Sequence, residues 1–243
     1  MRLLPGLLLA VYCSLAVPPC QAGESLTVFY NLRPPYVSLQ DDGSVAGLTG
    51  TAARQAFARA GIAVQWRDMP TNRQLLTIHE NAGRFCAIGW FQTQERQAFA
   101  LFTQAIYRDH GWMVLVRSGL ALDEHESLPD VLARPGFRVM VKDKYSYGPE
   151  IDALLAKTRP AIAVSTGTTV QMLQSLGAHS VDLIFVPDEE GRYLMSNATA
   201  QSAQLRLLRL AHMPKGESRY IMCSRQVPAE LMDGLNKAIR FNR

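Results

Sequence analysis

Apolar positions in this chain fall into short runs, each closed by glycine, proline or a polar cluster. "SLTVFYNL" (Ser25–Leu32) is rich in β-branched and aromatic residues and stops at Arg33-Pro34-Pro35, which predicts a strand. "DDGS" (Asp41–Ser44) predicts a turn. In "LTGTAARQAFARAG" (Leu48–Gly61), Ala and Phe recur at helical spacing and Gly61 supplies the stop. "AVQWRDM" (Ala63–Met69) predicts a second strand. "TNRQLLTIHENAG" (Thr71–Gly83) predicts a helix that starts after Pro70 and closes on glycine. "FCAIGWF" (Phe85–Phe91) is apolar throughout, as strands covered on both faces of a parallel sheet are. The order is βαβαβ, an α/β unit.

The pattern then repeats. Strands are predicted at Gly111–Gly119, Phe137–Asp143, Ala161–Ser165 and Val181–Pro187. Between them lie a short helix and turn in "SLPDVLARPG" and helices at Gly148–Thr158 and Thr168–Gly177. Pro149 sits in the first turn of the former helix. "LRLLRLA" and "RYIMCSR" read as late strands, and "PAELMDGLNKAIRFN" as a closing amphipathic helix. Two α/β units of similar size with no long linker predict two lobes.

The N-terminus reads differently. "MRLLPGLLLAVYCSLAVPPCQAGES" has an early Arg2, an apolar stretch from Leu3 to Val17 and a small residue at Ala22. This is the pattern of a secretory signal peptide at residues 1–22. Pro5, Pro18 and Pro19 break it as a membrane anchor. Neither Cys13 nor Cys20 has the small-residue context of a lipoprotein. The formal net charge of +4 is spread among alternating acids and bases, so no concentrated basic patch points to nucleic acid. After export, Cys86 and Cys223 remain as an even pair in an oxidising compartment, which predicts a disulfide; two separate buried thiols are the alternative. There is no C-x-x-C redox motif.

Several segments carry a family resemblance: "PPYVSLQDDGSVAGLTGTAARQAFARAGI", "GWFQTQERQAFALFTQAIYRDHGWMVLV", "SLPDVLARPGFRVMVKDKYSYGPEIDALL", "VDLIFVPDEEGRYL" and "ESRYIMCSRQVPAELMDGLNKAI". In this order and spacing the chain resembles the type II extracytoplasmic solute-binding proteins, in the amino-acid branch (family 3) that serves ABC transporters. The resemblance implies a two-lobed α/β fold whose lobes are joined by two crossover strands and close around a ligand. It places the crossovers near Met113–Arg117 and Leu205–Ala211. Lobe one is then 23–116 plus 212–243, and lobe two 117–211. Cys86 and Cys223 both fall in lobe one, where a bond would not cross the hinge.

The resemblance also singles out residues. Arg96, in "T-x-x-R" with Thr93 as N-cap and Glu95 in the first turn, matches the arginine that holds a ligand carboxylate. Without that context a surface arginine is the ordinary reading. Ser146 and Tyr147, with Gly148, precede a helix N-terminus and match the loop that grips the same carboxylate from lobe two. Tyr36 and Trp90 are candidate aromatic walls, with core packing as the alternative. Arg73 is a candidate second cation, and Asp188 lies near the family's ammonium-binding acid, one residue out of step. Phe91 stands where a hydroxyl residue is usual, and Arg84 where an acid is common, so the ligand need not be a standard amino acid.

No nucleophile elbow, Walker loop or dinucleotide fingerprint occurs, and the five histidines are scattered. The expectation is therefore not an enzyme, with no metal and no cofactor. A periplasmic monomer is expected, binding a small carboxylate and docking on a membrane permease. The first alternative is a ligand-sensing or protein-docking module of an extracytoplasmic signalling system, and the second, ranked below it, is an enzyme built on the same fold.

Overall fold

The computed structural model describes residues 26–197 and 204–241, so the expected leader at residues 1–22 lies outside them. The chain opens with β1 (Leu26–Tyr30), then a small hairpin of β2 (Ser38–Leu39) and β3 (Val45–Ala46) across the Asp41–Ser44 turn. Next come α1 (Leu48–Arg59), β4 (Val64–Asp68), α2 (Thr71–Glu80), β5 (Phe85–Trp90) and α3 (Gln94–Gln97). β6 (Ala100–Phe102), β7 (Tyr107–Arg108) and β8 (Trp112–Arg117) lead into the second half. That half contains α4 (Leu128–Leu132), β9 (Arg138–Lys142), α5 (Pro149–Thr158), β10 (Ala161–Ser165) and α6 (Thr169–Gly177). It continues with β11 (Leu183–Pro187), α7 (Asp188–Ser196) and β12 (Leu205–Leu208). β13 (Ser218–Ser224) and α8 (Ala229–Ala238) follow. α2 ends earlier than its glycine predicts, because Asn81 adopts a left-handed conformation (φ 54°) and its N–H closes on the Ile78 carbonyl.

Two main sheets form. The first has the order β4-β1-β5-β13-β6, with β7 also on β13; the second has the order β10-β9-β11-β8-β12. β4, β1 and β5 are mutually parallel, as are β10, β9 and β11; β13 runs antiparallel to β5 and β8 antiparallel to β11, while β6 and β7 are antiparallel to β13 and β12 is antiparallel to β8. Alternation along each strand sends side chains to opposite faces. In β8, Trp112, Val114 and Val116 pack with Leu128, Leu132 and Ile151 under α4 and α5. Met113 and Leu115 pack on the other face with Met172 and Leu176 of α6. The first sheet is likewise covered twice, by Phe57 and Leu235 of α1 and α8 on one face and Ile78 of α2 on the other. Each lobe is thus a helix–sheet–helix sandwich, the architecture expected of buried parallel strands.

Residues 113–117 and 205–208 are strands of the second sheet, because their two-sided apolar pattern is buried under helices there. The chain passes between the sheets just before β8 and just before β13. There the two passages are bonded to each other, Asp109 N–H donating to the Glu217 carbonyl at 3.0 Å and Gly111 bridging Lys215. Gly216 permits this approach, since a Cβ there would overlap the Asp109 carbonyl.

Cys86 and Cys223 are bonded, joining positions 137 residues apart that lie opposite each other on β5 and β13. Both ends are in the first sheet, so the link braces one lobe. Replacing both cysteines by alanine is expected to lower stability by about 2–5 kcal/mol, read by urea unfolding.

Glu217 lies at the crossing. Partial burial, and then Glu150, push its carboxyl above the ordinary glutamate value, with Arg108 opposing. The folded state therefore binds this proton more tightly than the unfolded chain, and stability from this group falls as pH rises through that raised value. Glu217→Gln is expected to raise the melting temperature at pH 7. The gain should shrink as pH is lowered toward the unfolded glutamate value of about 4.3.

Candidate functional site

Between the sheets lies a cavity of about 40 Å³. Its walls come from the segments that follow the carboxyl ends of parallel strands. Asn31, Arg33 and Tyr36 follow β1, Phe91 and Arg96 follow β5, and Tyr145 and Ser146 follow β9. This is where ligands bind in open parallel sheets, since the strand ends and their loops leave a crevice there. A wider hollow of about 310 Å³ shares Asn31 and Thr71 with the cavity and is bounded on the far side by Lys142 and Gln171.

Three guanidinium groups reach this cavity. Arg219, on β13, is 3% exposed at its side chain and forks onto Asp109, with both N–O distances 2.7 Å. Its third nitrogen donates to the Gly89 carbonyl at 3.1 Å, and its carbon lies 4.0 Å from the Tyr36 ring centre and 4.6 Å from that of Phe91. Arg33 forks onto Glu190, Nε to Oε1 at 2.9 Å and a terminal nitrogen to Oε2 at 2.5 Å, and also donates to the Tyr145 hydroxyl. Burial works against both charges of this pair. Their mutual attraction outweighs it, holding the Glu190 carboxyl below and the Arg33 guanidinium above their ordinary values.

Arg96 is the exception. Thr93 caps α3 by accepting the Arg96 N–H, which turns the side chain inward, where the residue is 6% exposed. Its guanidinium donates to two carbonyls, Phe91 at 3.0 Å and Lys144 at 3.4 Å, and lies 4.8 Å from the Trp90 ring centre. Among the described residues none of its hydrogen bonds reaches a carboxylate. Burial lowers its pKa, and Glu95 and Asp152 offset that only in part. The group stays protonated, so a buried cation faces the cavity without a bonded counter-ion.

The other predicted residues divide. Tyr36 and Trp90 line the cavity, and each polar atom is committed, the Tyr36 hydroxyl to Asp109 at 3.0 Å and the Trp90 indole to Gln74 at 3.1 Å. Ser146 lines it too, but its hydroxyl donates to Asp152 at 2.6 Å. The Tyr147 N–H donates to the same carboxylate at 2.8 Å, so the start of α5 holds an internal anion. The Tyr147 ring points into the second lobe's core against Trp112 and Phe185. Arg73 is exposed on α2, and Asp188 pairs with Arg192 one turn along α7 at 2.8 Å. Neither lines the cavity.

Sequence reasoning missed Arg33, Arg219, Asp109 and Glu190. For Glu190 a signal existed: three acids after a proline mark a helix start, here α7. The Arg219–Asp109 pair spans 110 positions and leaves no local trace. Asp109→Ala is expected to cost about 3–5 kcal/mol in urea unfolding, because it leaves the Arg219 charge buried and uncompensated.

A family-level comparison matches residues 26–240 to bacterial extracellular solute-binding proteins, family 3. A comparison with curated protein sequences gives no match. Among solved structures the chain is similar to an ancestral arginine-binding protein bound to arginine, with a TM-score of 0.70 and 18% identity over 88% of this chain and 90% of that one. It is similar to an ancestral arginine-binding protein bound to glutamine, at 0.68 and 20% over 88% and 90%. It is also similar to ArtJ, the arginine-, lysine-, histidine-binding protein of the thermophilic bacterium Geobacillus stearothermophilus, at 0.71 and 15% over 89% and 88%. At these identities the likeness to solved structures is one of fold, and that fold is two-lobed. The family match spans nearly all the described residues, and on that ground this protein belongs to the bacterial extracellular solute-binding proteins, family 3.

Proposed function

We propose that this protein captures a compact carboxylate-bearing solute between its lobes and delivers it to an ABC-type membrane permease. The observation that carries this reading is Arg96, a buried guanidinium bonded only to carbonyls at the wall of an interlobe cavity. A guanidinium out of water is strongly favoured by an anion, and its planar fork suits a carboxylate. The solved neighbours support the same ligand chemistry, since the arginine and glutamine they hold both carry a carboxylate. Trp90 supplies a flat wall beside Arg96, and Ser146 faces it from the second lobe.

The lobes are taken as the residues up to His110 together with those from Pro214 onward, and the segment between. Ligand binding would hold them closed, since Arg96 already bonds across the cleft to Lys144. The leader at residues 1–22 fits export, and the protein would act as a monomer in the periplasm. Family members are binding proteins, and no catalytic step is assigned.

A thermal-shift screen of residues 23–243 against amino acids, organic acids and short peptides tests this. A carboxylate ligand raises the melting temperature by mass action. Arg96→Ala is expected to weaken that ligand roughly ten- to hundred-fold, the worth of a hydrogen bond to a charged group. A hit indifferent to Arg96→Ala overturns the carboxylate-clamp reading, and a library without any hit overturns small-molecule capture in favour of a sensory or protein-docking module.

A further inference from the structure

Glu190 sits at the far side of the cleft in a setting built for a cation. Its carboxylate is 2% exposed and fully engaged: Oε1 accepts from the Thr169 hydroxyl at 2.8 Å and from Arg33, and Oε2 accepts from Arg33. Two aromatic rings flank the guanidinium that rests on it, Tyr36 with its centre 5.4 Å from the guanidinium carbon and Tyr145 at 5.1 Å. A buried carboxylate oriented by a hydroxyl, with a ring on either side, is a receptor for a planar cation. The cation in it belongs to the protein itself.

Arg33 enters from the other lobe, on a backbone fixed by its own N–H to the Val37 carbonyl at 2.9 Å and by the Tyr36 and Val37 N–H groups donating to its carbonyl. Glu190 and Thr169 belong to α7 and α6 on the second sheet. The side chain thus spans the cleft and occupies space that a ligand side chain would need. The cavity lined by Arg33 and Arg96 is about 40 Å³, small beside the few hundred Å³ of an ordinary small-molecule site, and the hollow of about 310 Å³ beyond Asn31 and Thr71 is lined by neither arginine.

We propose that Arg33 is a resident occupant of a guanidinium subsite and a specificity-determining residue, closing the cation-binding half of the cleft to ligands with basic side chains. What remains open is the anion-binding half at Arg96. The inference rests on the reading of the cleft as the ligand site. It predicts a narrower ligand class, carboxylates without an extended cationic group. It also predicts that removing Arg33 leaves a vacant site that a free guanidinium from solution can fill.

The test uses Arg33→Ala and methylguanidinium chloride, with methylammonium chloride at equal ionic strength as control. Methylguanidinium at about 10 mM is expected to raise the melting temperature of Arg33→Ala by about 2 °C or more, beyond the control, by filling the vacated site. Wild type and the double variant Arg33→Ala/Glu190→Gln should show no such difference. Should Arg33→Ala unfold on its own, refolding is compared instead, and recovery of native circular dichroism with methylguanidinium but not methylammonium supports the proposal. Equal responses to the two cations, or an equal response of wild type, overturn it. This failure is separable from that of the carboxylate reading. Methylguanidinium carries no anion for Arg96, so rescue and Arg96-dependent carboxylate binding succeed or fail independently.

Discussion

A guanidinium taken out of water has to be neutralised, and this cleft contains three. The energy scale is set by burial: an ion pair that costs little at a surface becomes expensive to break inside, because removal of one partner leaves the other without water or counter-charge. Arg219 meets the requirement with Asp109, within the first lobe and the passage beside it. Arg33 meets it with Glu190, across the cleft. Arg96 forms its side-chain hydrogen bonds to carbonyls alone, with the Trp90 ring beside it and Glu95 and Asp152 compensating only in part. The positions of the surrounding aromatic rings follow, since Tyr36, Phe91, Trp90 and Tyr145 each lie within about 6 Å of one of these cations, the reach of a cation–π contact.

Arg219 and Asp109 sit where the chain crosses between sheets, beside the close approach that Gly216 allows. They hold the crossing and the Tyr36 ring in place. The start of α5, which would be open to an anion by its N–H groups alone, is already occupied by Asp152. Each of these groups is satisfied from within the protein. Among the described residues at the cavity wall, Arg96 is the guanidinium without a carboxylate bonded to it, and it stands on a short helix capped by Thr93.

Contacts across the cleft connect this local chemistry to motion between lobes. Arg33 to Glu190, Arg96 to Lys144, and the Tyr36 and Tyr107 hydroxyls to Glu189 all join the part of the chain around the first sheet to the part around the second. A lobe that opened would break several charge-assisted bonds together. The closed arrangement is therefore held by the protein's own side chains, and on the proposed reading a ligand's affinity would include the balance between open and closed forms.

The α/β class and two-unit order were legible in the sequence, because two-sided burial writes itself as unbroken apolar runs such as Phe85–Trp90 and Leu183–Pro187. Capping was legible too: Thr93 and Thr168 start their helices as their side chains dictate. Arg96 was singled out through the family resemblance of its motif, and its burial came from the structure, since a charged residue on a helix looks the same in sequence whether it faces water or a cleft. Tertiary structure alone decided the partners of charge. Arg219 and Asp109 are 110 residues apart, and Arg33 and Glu190 are 157 apart. Local sequence sets backbone preference and the face of each element. Which buried charges meet depends on how the two sheets are brought end to end, and that is fixed by packing over the whole chain.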